Sequence, residues 1–356
     1  MRSLTFLIFV IITICCWGTY GPVLHIGQEQ MGADGKLSTL RPFMCVGMAY
    51  FLIAVLFPVF VLWKRGEKGE WNRSGITWAF SAGAIGAIGA LGIILAFKFK
   101  GKPVYVMPLV FGCAPVVNTI VTMLFARTIK NASLPFYIGV LIVAIGAAGV
   151  LTFKPKPPEA KTAVVNAETA TEELEEKPAA ETKTETDHTD TAKKSDTNLP
   201  MVFLSILVTA LCWGAYGPVL HKGQAKMAGS RLRPFLCVGL AYFTIAVVVP
   251  LVMLTTAVFP DPGSWKFTAS LWSLLAGTVG AIGALGIIYA FNFGGKPIFI
   301  MPLVFGFAPV VNTFTETFSK GLFDQTTYEF YISLLLVILG AVTVLICAPK
   351  GNKGKP

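Results

Sequence analysis

The sequence predicts an all-α integral membrane protein in which ten transmembrane helices form a five-plus-five repeat of inverted topology. Three observations carry this expectation. The chain of 356 residues is 54% hydrophobic and 13% charged, with a mean hydropathy of +0.68, too apolar for a soluble domain of ordinary composition. Several of its stretches reach the roughly 20 apolar residues needed to cross about 30 Å of hydrocarbon. The second half of the chain also repeats the first.

In the first half the spans read Leu4 to Leu24, Pro42 to Trp63, Ile76 to Phe97, Pro103 to Ala126 and Leu134 to Phe153. In the second they read Leu199 to Leu220, Pro234 to Thr256, Leu271 to Phe291, Pro297 to Phe318 and Tyr331 to Ala348. Between the halves, residues 154–198 are rich in Glu, Thr, Lys, Ala and Pro and lack apolar periodicity. Such a segment buries too little surface to offset its ordering entropy and is expected to be a disordered linker. The expected organisation is a first five-helix repeat at 1–153, the linker at 154–198, a second repeat at 199–348 and a basic tail at 349–356.

The internal repeat is close. CWGTYGPVLHIGQ from Cys16 returns as CWGAYGPVLHKGQ from Cys212, LRPF at Leu40 returns at Leu232, and AIGALGII at Ala87 returns at Ala281. The stretch Lys102 to Thr119 returns as Lys296 to Thr313, changed only at Val104/Ile298, Tyr105/Phe299, Val106/Ile300 and Cys113/Phe307. An odd number of spans per unit turns the second copy upside down in the bilayer. Arg2 and the apolar run behind it have the look of a signal peptide. The match to the internal sixth span argues that the segment is retained, and bulky Ile14 before Cys15 disfavours a lipoprotein.

Loop lysines and arginines set the orientation. With both termini in the cytoplasm of a plasma or inner membrane, Lys64, Arg65, Lys68, Arg73, Lys222, Lys226, Arg231 and Arg233 fall inside, against the opposing outer cluster Lys98, Lys100 and Lys102. The linker is then outside. The net charge of +10 is spread over short loops rather than one stripe, which excludes a nucleic-acid partner. The cysteines all sit in apolar runs without CxxC spacing and read as small buried hydrophobes. His25 and His221 emerge on opposite faces under the inverted repeat, so they cannot share a metal, and no cofactor is expected.

On these residues the chain resembles the drug/metabolite transporter superfamily, over its whole length apart from the linker. The third span of each half ends in Gly-Ala-Leu-Gly, at Gly89 and at Gly283, before a short lysine-containing turn; a proline-bearing fourth span and a glycine-bearing fifth follow. The segments after Tyr20-Gly21-Pro22 and Tyr216-Gly217-Pro218 look most like the sugar-uptake branches, those of rhamnose and glucose. Many members carry Gly-Glu after the fourth span; Arg127-Thr128 and Gly321-Leu322 stand here instead, a departure from the broad exporter subfamily.

Transporter sites of this design lie near the midplane, where helices are broken. Pro108, Gly112 and Pro115, like Pro302, Gly306 and Pro309, set two breakers around a glycine, with Asn118 and Asn312 one turn on. They are candidates to line a substrate path, or else residues that shape helix packing. Trp17, Tyr20, Trp213 and Tyr216 offer ring faces and hydroxyls to a sugar, or form an aromatic belt at the span ends. Tyr50 and Tyr242, near the midplane, are rated with them. The glycines Gly83, Gly86, Gly89 and Gly92, with Gly277, Gly280, Gly283 and Gly286, read as a close-packing face and not as a nucleotide fingerprint. Glu316, whose repeat partner is Thr122, is the candidate to couple transport to a proton or sodium ion, or else a solvated helix end.

No Arg or Lys falls at midspan, so a small, neutral, polyhydroxylated substrate is expected rather than an anionic one. The expected function is a transporter or facilitator of a neutral metabolite such as a sugar, working by alternating access. The alternatives are an exporter of amphiphilic or amino-acid-like compounds and a non-transporting assembly or sensor protein. No acid, base and nucleophile cluster within the spans points to an enzyme. Besides the solute and the bilayer no partner is indicated, and the oligomeric state is open.

Overall fold

The computed structural model describes residues 5–128, 130, 133–153, 155, 198–256, 259–293 and 297–347. The expected linker, Pro155 and Asn198 apart, and the basic tail lie outside the described residues. Among the described residues no β-strand occurs, and a helix stands at every apolar stretch. These are α1 (Thr5–Met31), α2 (Leu40–Arg65), α3 (Arg73–Lys98), α4 (Pro103–Ala126), α5 (Leu134–Thr152), α6 (Leu199–Lys226), α7 (Leu232–Thr255), α8 (Phe267–Asn292), α9 (Pro297–Ser319) and α10 (Tyr328–Ile346). Among the described residues eight helices, α1 to α8, are long and apolar enough to cross a membrane. The chain is a multi-pass membrane protein.

Local chemistry sets the helix ends. Asn72 caps α3 by accepting from the Gly75 N–H at 3.2 Å, and Asn198 caps α6 by accepting from Met201 at 3.3 Å. Prolines stand in the first turns of α4, α5 and α6, where a missing N–H costs nothing. Arg127, in the left-handed region at φ 56°, ends α4.

α1 and α6 outrun the apolar spans expected from sequence. α1 continues through Pro22 to Met31, where the Nε2 of buried Gln28 donates to Ser38 O at 3.1 Å and to Ile94 O at 3.2 Å. α6 runs on past Leu220 to Lys226. Trp17, Tyr20, Trp213 and Tyr216 consequently lie well inside their helices and not at the ends.

α2 and α7 each contain a π-helical turn, Phe51–Leu56 and Thr244–Val248. Pro58 and Pro250 explain both. Each lacks an N–H and its ring excludes the carbonyl four residues back, so the preceding bonds move to five-residue spacing, as in Phe57 N–H to Leu52 O and Val249 N–H to Thr244 O. The two bent helices cross where Gly47 abuts Ala246 and Val247, and Gly239 abuts Ala54 and Val55.

Most helices pack chiefly against helices of the other half of the chain: α1 on α8, α3 on α6, α5 on α10, α2 on α8 and α3 on α7. The glycine rows make this possible. A Cβ at Gly83 would fall 2.6 Å from the Val238 backbone, and one at Gly277 would fall 2.7 Å from that of Val46. Each row is a track for the opposite half, which accounts for the spacing of three along one helix face.

Two loop latches hold the halves together. In the α2–α3 connection, Glu67 accepts from Ser230 Oγ at 2.5 Å, from the Arg231 and Leu232 backbone N–H groups at 3.0 and 3.1 Å, and from Arg231 Nε at 2.9 Å. In the α7–α8 connection, Asp261 accepts from Ser38 Oγ at 2.8 Å, from the Thr39 N–H at 2.6 Å and from Arg41 Nη1 at 2.9 Å. Each acid thus caps, from across the interface, the first turn of α7 or α2, where the helix dipole favours an anion. The repeated LRPF supplies Arg41 and Arg233, the latter donating from Nη1 to the Glu67 backbone carbonyl at 3.2 Å, while Arg231 stands just before the motif. Gly69 at φ 127° and Gly263 at φ 90° let the latch loops turn, and a Cβ on Gly263 would meet the Met31 carbonyl at 1.8 Å.

Burial raises the Glu67 carboxyl pKa, but the bonds from Ser230, Arg231 and Leu232 outweigh that and hold it below the usual carboxylate range. Since the folded carboxyl titrates below its unfolded counterpart, near about 4.3, its contribution is complete above that value and is lost as pH falls through the lower, folded one. The native protein is therefore expected to lose melting temperature on acidification below about pH 5, and a Glu67→Gln variant to lose less. Equal losses would remove the latch as the cause.

Candidate functional site

The structure gathers six aromatic side chains around one cavity midway along the helices. Trp17 and Tyr20 come from α1, Tyr50 from α2, Trp213 and Tyr216 from α6, and Tyr242 from α7; Gly86, Gly280 and Ala284 complete the wall. The rings pair across the halves. Tyr50 stacks parallel on Tyr242 at 3.7 Å, Trp17 meets Tyr216 edge-on at 6.5 Å, and Tyr20 meets Trp213 edge-on at 5.8 Å. Trp17 Nε1 donates to Gly280 O at 3.3 Å and Trp213 Nε1 donates to Gly86 O at 3.2 Å. The indoles are thereby pinned to the glycine tracks.

The hydroxyls of Tyr20 and Tyr216 are different. Both are buried and have no hydrogen-bond partner among the described residues. A buried hydroxyl left unpaired costs about 1 to 3 kcal/mol, so a polar guest or water in the cavity gains from meeting them. The cavity measures about 40 Å³. At roughly 10 to 15 Å³ per water it holds a few waters.

The residues expected on α4 and α9 stand elsewhere. Asn118 and Asn312 are buried, Asn312 Nδ2 donates to Pro103 O at 3.0 Å, and the Asn118 and Asn312 Oδ1 atoms face Gly217 and Gly21. Neither asparagine lines the cavity, and neither do Pro115, Pro309, Gly112 or Gly306. Gly112 faces Val337 of α10, and Gly306 faces Val342 and Ile338 of the same helix.

A second, open cavity of about 860 Å³ lies toward the end of α1 that carries His25 and Glu29. Lys98 borders it from the end of α3, Lys100 and Lys102 from the α3–α4 turn, Asp261 from its latch, Glu316 from α9 and Lys320 from just beyond the end of α9. Glu316 is 1% exposed. It lines this vestibule and not the aromatic cavity.

Sequence reasoning missed Glu67 and Asp261. The signal was present: Glu67-Lys-Gly-Glu-Trp71 and Asp261-Pro-Gly-Ser-Trp265 share an acid, a glycine two residues later and a tryptophan four residues later at equivalent points of the repeat. It was hidden because the acids differ in length and the loops around them diverge.

No family model matches the chain, and no curated protein matches it. Solved structures do match. A crystal structure described only as that of a protein superposes with a TM-score of 0.53 at 16% identity, over 98% of this chain and 99% of that one. At that identity the likeness concerns fold alone: the arrangement of helices, carried along nearly the full length of both chains, is one that a crystallised protein also adopts.

Proposed function

We propose that this chain is a membrane transporter that moves a small neutral solute, a sugar being the first candidate, by alternating access between two five-helix halves of inverted topology. The observation that carries the reading is the aromatic cavity, to which each half contributes one tryptophan and two tyrosines at equivalent repeat positions. Ring faces suit the apolar face of a sugar, and the unpaired Tyr20 and Tyr216 hydroxyls suit its oxygens. No charged side chain lines that cavity, which favours an uncharged guest. A cavity of about 40 Å³ admits no hexose until the halves separate, as alternating access requires. The repeat pattern also supports membership of the drug/metabolite transporter superfamily, with ten spans and both termini cytoplasmic. Six aromatic faces favour a second reading on the same fold, export of amphiphilic or amino-acid-like compounds.

Uptake into proteoliposomes of labelled hexoses and deoxyhexoses, amino acids and lipophilic cations tests this. Saturable uptake of at least one neutral sugar is expected. Tyr20→Phe and Tyr216→Phe should each weaken apparent affinity about fivefold to 150-fold, for a lost hydrogen bond of roughly 1 to 3 kcal/mol. Uptake confined to cations or amino acids selects the second reading, and uptake of nothing above empty vesicles ends both.

A further inference from the structure

Three charged groups of the vestibule have no charged counterpart in the repeat. Glu29, Glu316 and Lys320 correspond in the repeat to Ala225, Thr122 and Ala126, whereas His25 corresponds to His221. On the vestibule side these four side chains meet. Lys320 Nζ lies 3.5 Å from Glu316 Oε1, 3.6 Å from Glu29 Oε1 and 3.5 Å from His25 Nδ1, and His25 Nδ1 lies 3.2 Å from Glu29 Oε1. One ammonium is therefore shared among two carboxylates and an imidazole, and none of its contacts is as short as the 2.7 to 2.9 Å of a committed charged hydrogen bond.

Glu316 is the member with spare capacity. Its side chain is 2% exposed, its second oxygen, Oε2, has no partner among the described residues, and the residue borders an open cavity of about 860 Å³. We propose that Glu316 is the proton-binding group of a site completed by Glu29, His25 and Lys320, loaded from the vestibule on this face of the membrane alone. A proton requires a single oxygen, and Oε2 offers one. A metal cation requires several oxygen ligands and would sit against the Lys320 ammonium, so the site does not suit sodium. Binding leaves the pair Glu29 and Lys320 balanced in charge beside a neutral carboxyl. Of the remaining charges, Lys102 faces the same space from the start of α4, and Lys36, Lys98, Lys100 and Asp261 border it farther out. The inference rests on the transport reading only for the use made of the proton, which would couple a gradient to solute movement. Proton binding is measurable without transport.

The test is pH-difference infrared spectroscopy of the full chain in liposomes, following the C=O stretch of protonated carboxyl groups. A band that titrates in the native protein should be missing from Glu316→Gln. In Lys320→Met its midpoint should rise by about 1 to 3 pH units, because a cation within about 4 to 6 Å favours the ionised carboxylate by that much. Glu29→Gln should keep the band and lower its midpoint. The Lys320→Met shift is read on native Glu316, so it decides the matter even if the glutamine variant fails to fold. A band that survives in Glu316→Gln, or a midpoint indifferent to Lys320→Met, overturns the proposal. A band that behaves as expected in a protein that moves no solute upholds the proton site and rejects the transporter instead.

Discussion

Asp261→Ala is expected to lower the free energy of unfolding by about 3 to 5 kcal/mol, the usual result of removing one partner from a buried ion pair. The side chain of Asp261 is 0% exposed, and its oxygens serve Ser38, the Thr39 backbone and Arg41 together. Its removal leaves the Arg41 guanidinium, itself 17% exposed, without a counter-charge, and frees a first-turn N–H of α2. Thermal unfolding in detergent measures the loss. Asp324→Ala, at an exposed position of the α9–α10 connection, is the control and should stay within about 0.5 kcal/mol of the native protein. Equal melting of the two variants would show that the latch holds nothing.

Gly283→Ala is the second large effect, and its sign is set by distance. A Cβ there would lie 2.3 Å from Trp17 Cδ1 and Nε1, so the indole must leave its place and release the Gly280 carbonyl. Overpacking of this kind costs about 1 to 3 kcal/mol. Gly89→Ala should behave alike, because its Cβ would lie 2.3 Å from Trp213 Cδ1. Gly306→Ala makes the contrast: its Cβ would meet Val342 and Ile338 at 3.5 and 3.6 Å, ordinary contact distances. There the helix gains up to about 1 kcal/mol from replacing glycine. Melting curves with tryptophan fluorescence report both changes, and the three variants moving in one direction would sink the argument.

Helix existence was legible in the sequence because hydropathy decides it. The span expected at Pro103 to Ala126 is the helix α4 as it stands, bounded by a proline and by the left-handed Arg127. The ends of α1 and α6 were less legible, since polar Gln28 reads as a boundary until its two carbonyl partners are known. The glycine rows were readable as a close-packing face, but the opposite side of that contact was not. Trp17 and Gly283 are far apart in sequence, and only the fold reveals the pairing.

For the site, residue type and repetition marked out all six cavity aromatics. Depth along a helix also marked out Gly112 and Gly306, which turn toward α10. Depth gives no direction around the helix axis, and in a helix apolar on all sides hydrophobic periodicity supplies none either. The vestibule network escaped notice for another reason. Glu316 and His25 drew notice singly, while Lys320 joins them to Glu29 only through its contacts of 3.5 and 3.6 Å with His25 and Glu29 of α1.

The interleaving of the halves also governs how the protein is made. α1 finds its principal partner in α8, whose last residue is Asn292, and a ribosome adding about 5 to 20 residues per second reaches that point only tens of seconds after finishing α1. Through that interval Trp17 lacks the Gly280 carbonyl and Thr13 lacks that of Gly283. The nascent first half therefore waits in the bilayer with its joining surfaces open, and the membrane insertion machinery is the natural place for them to be sheltered.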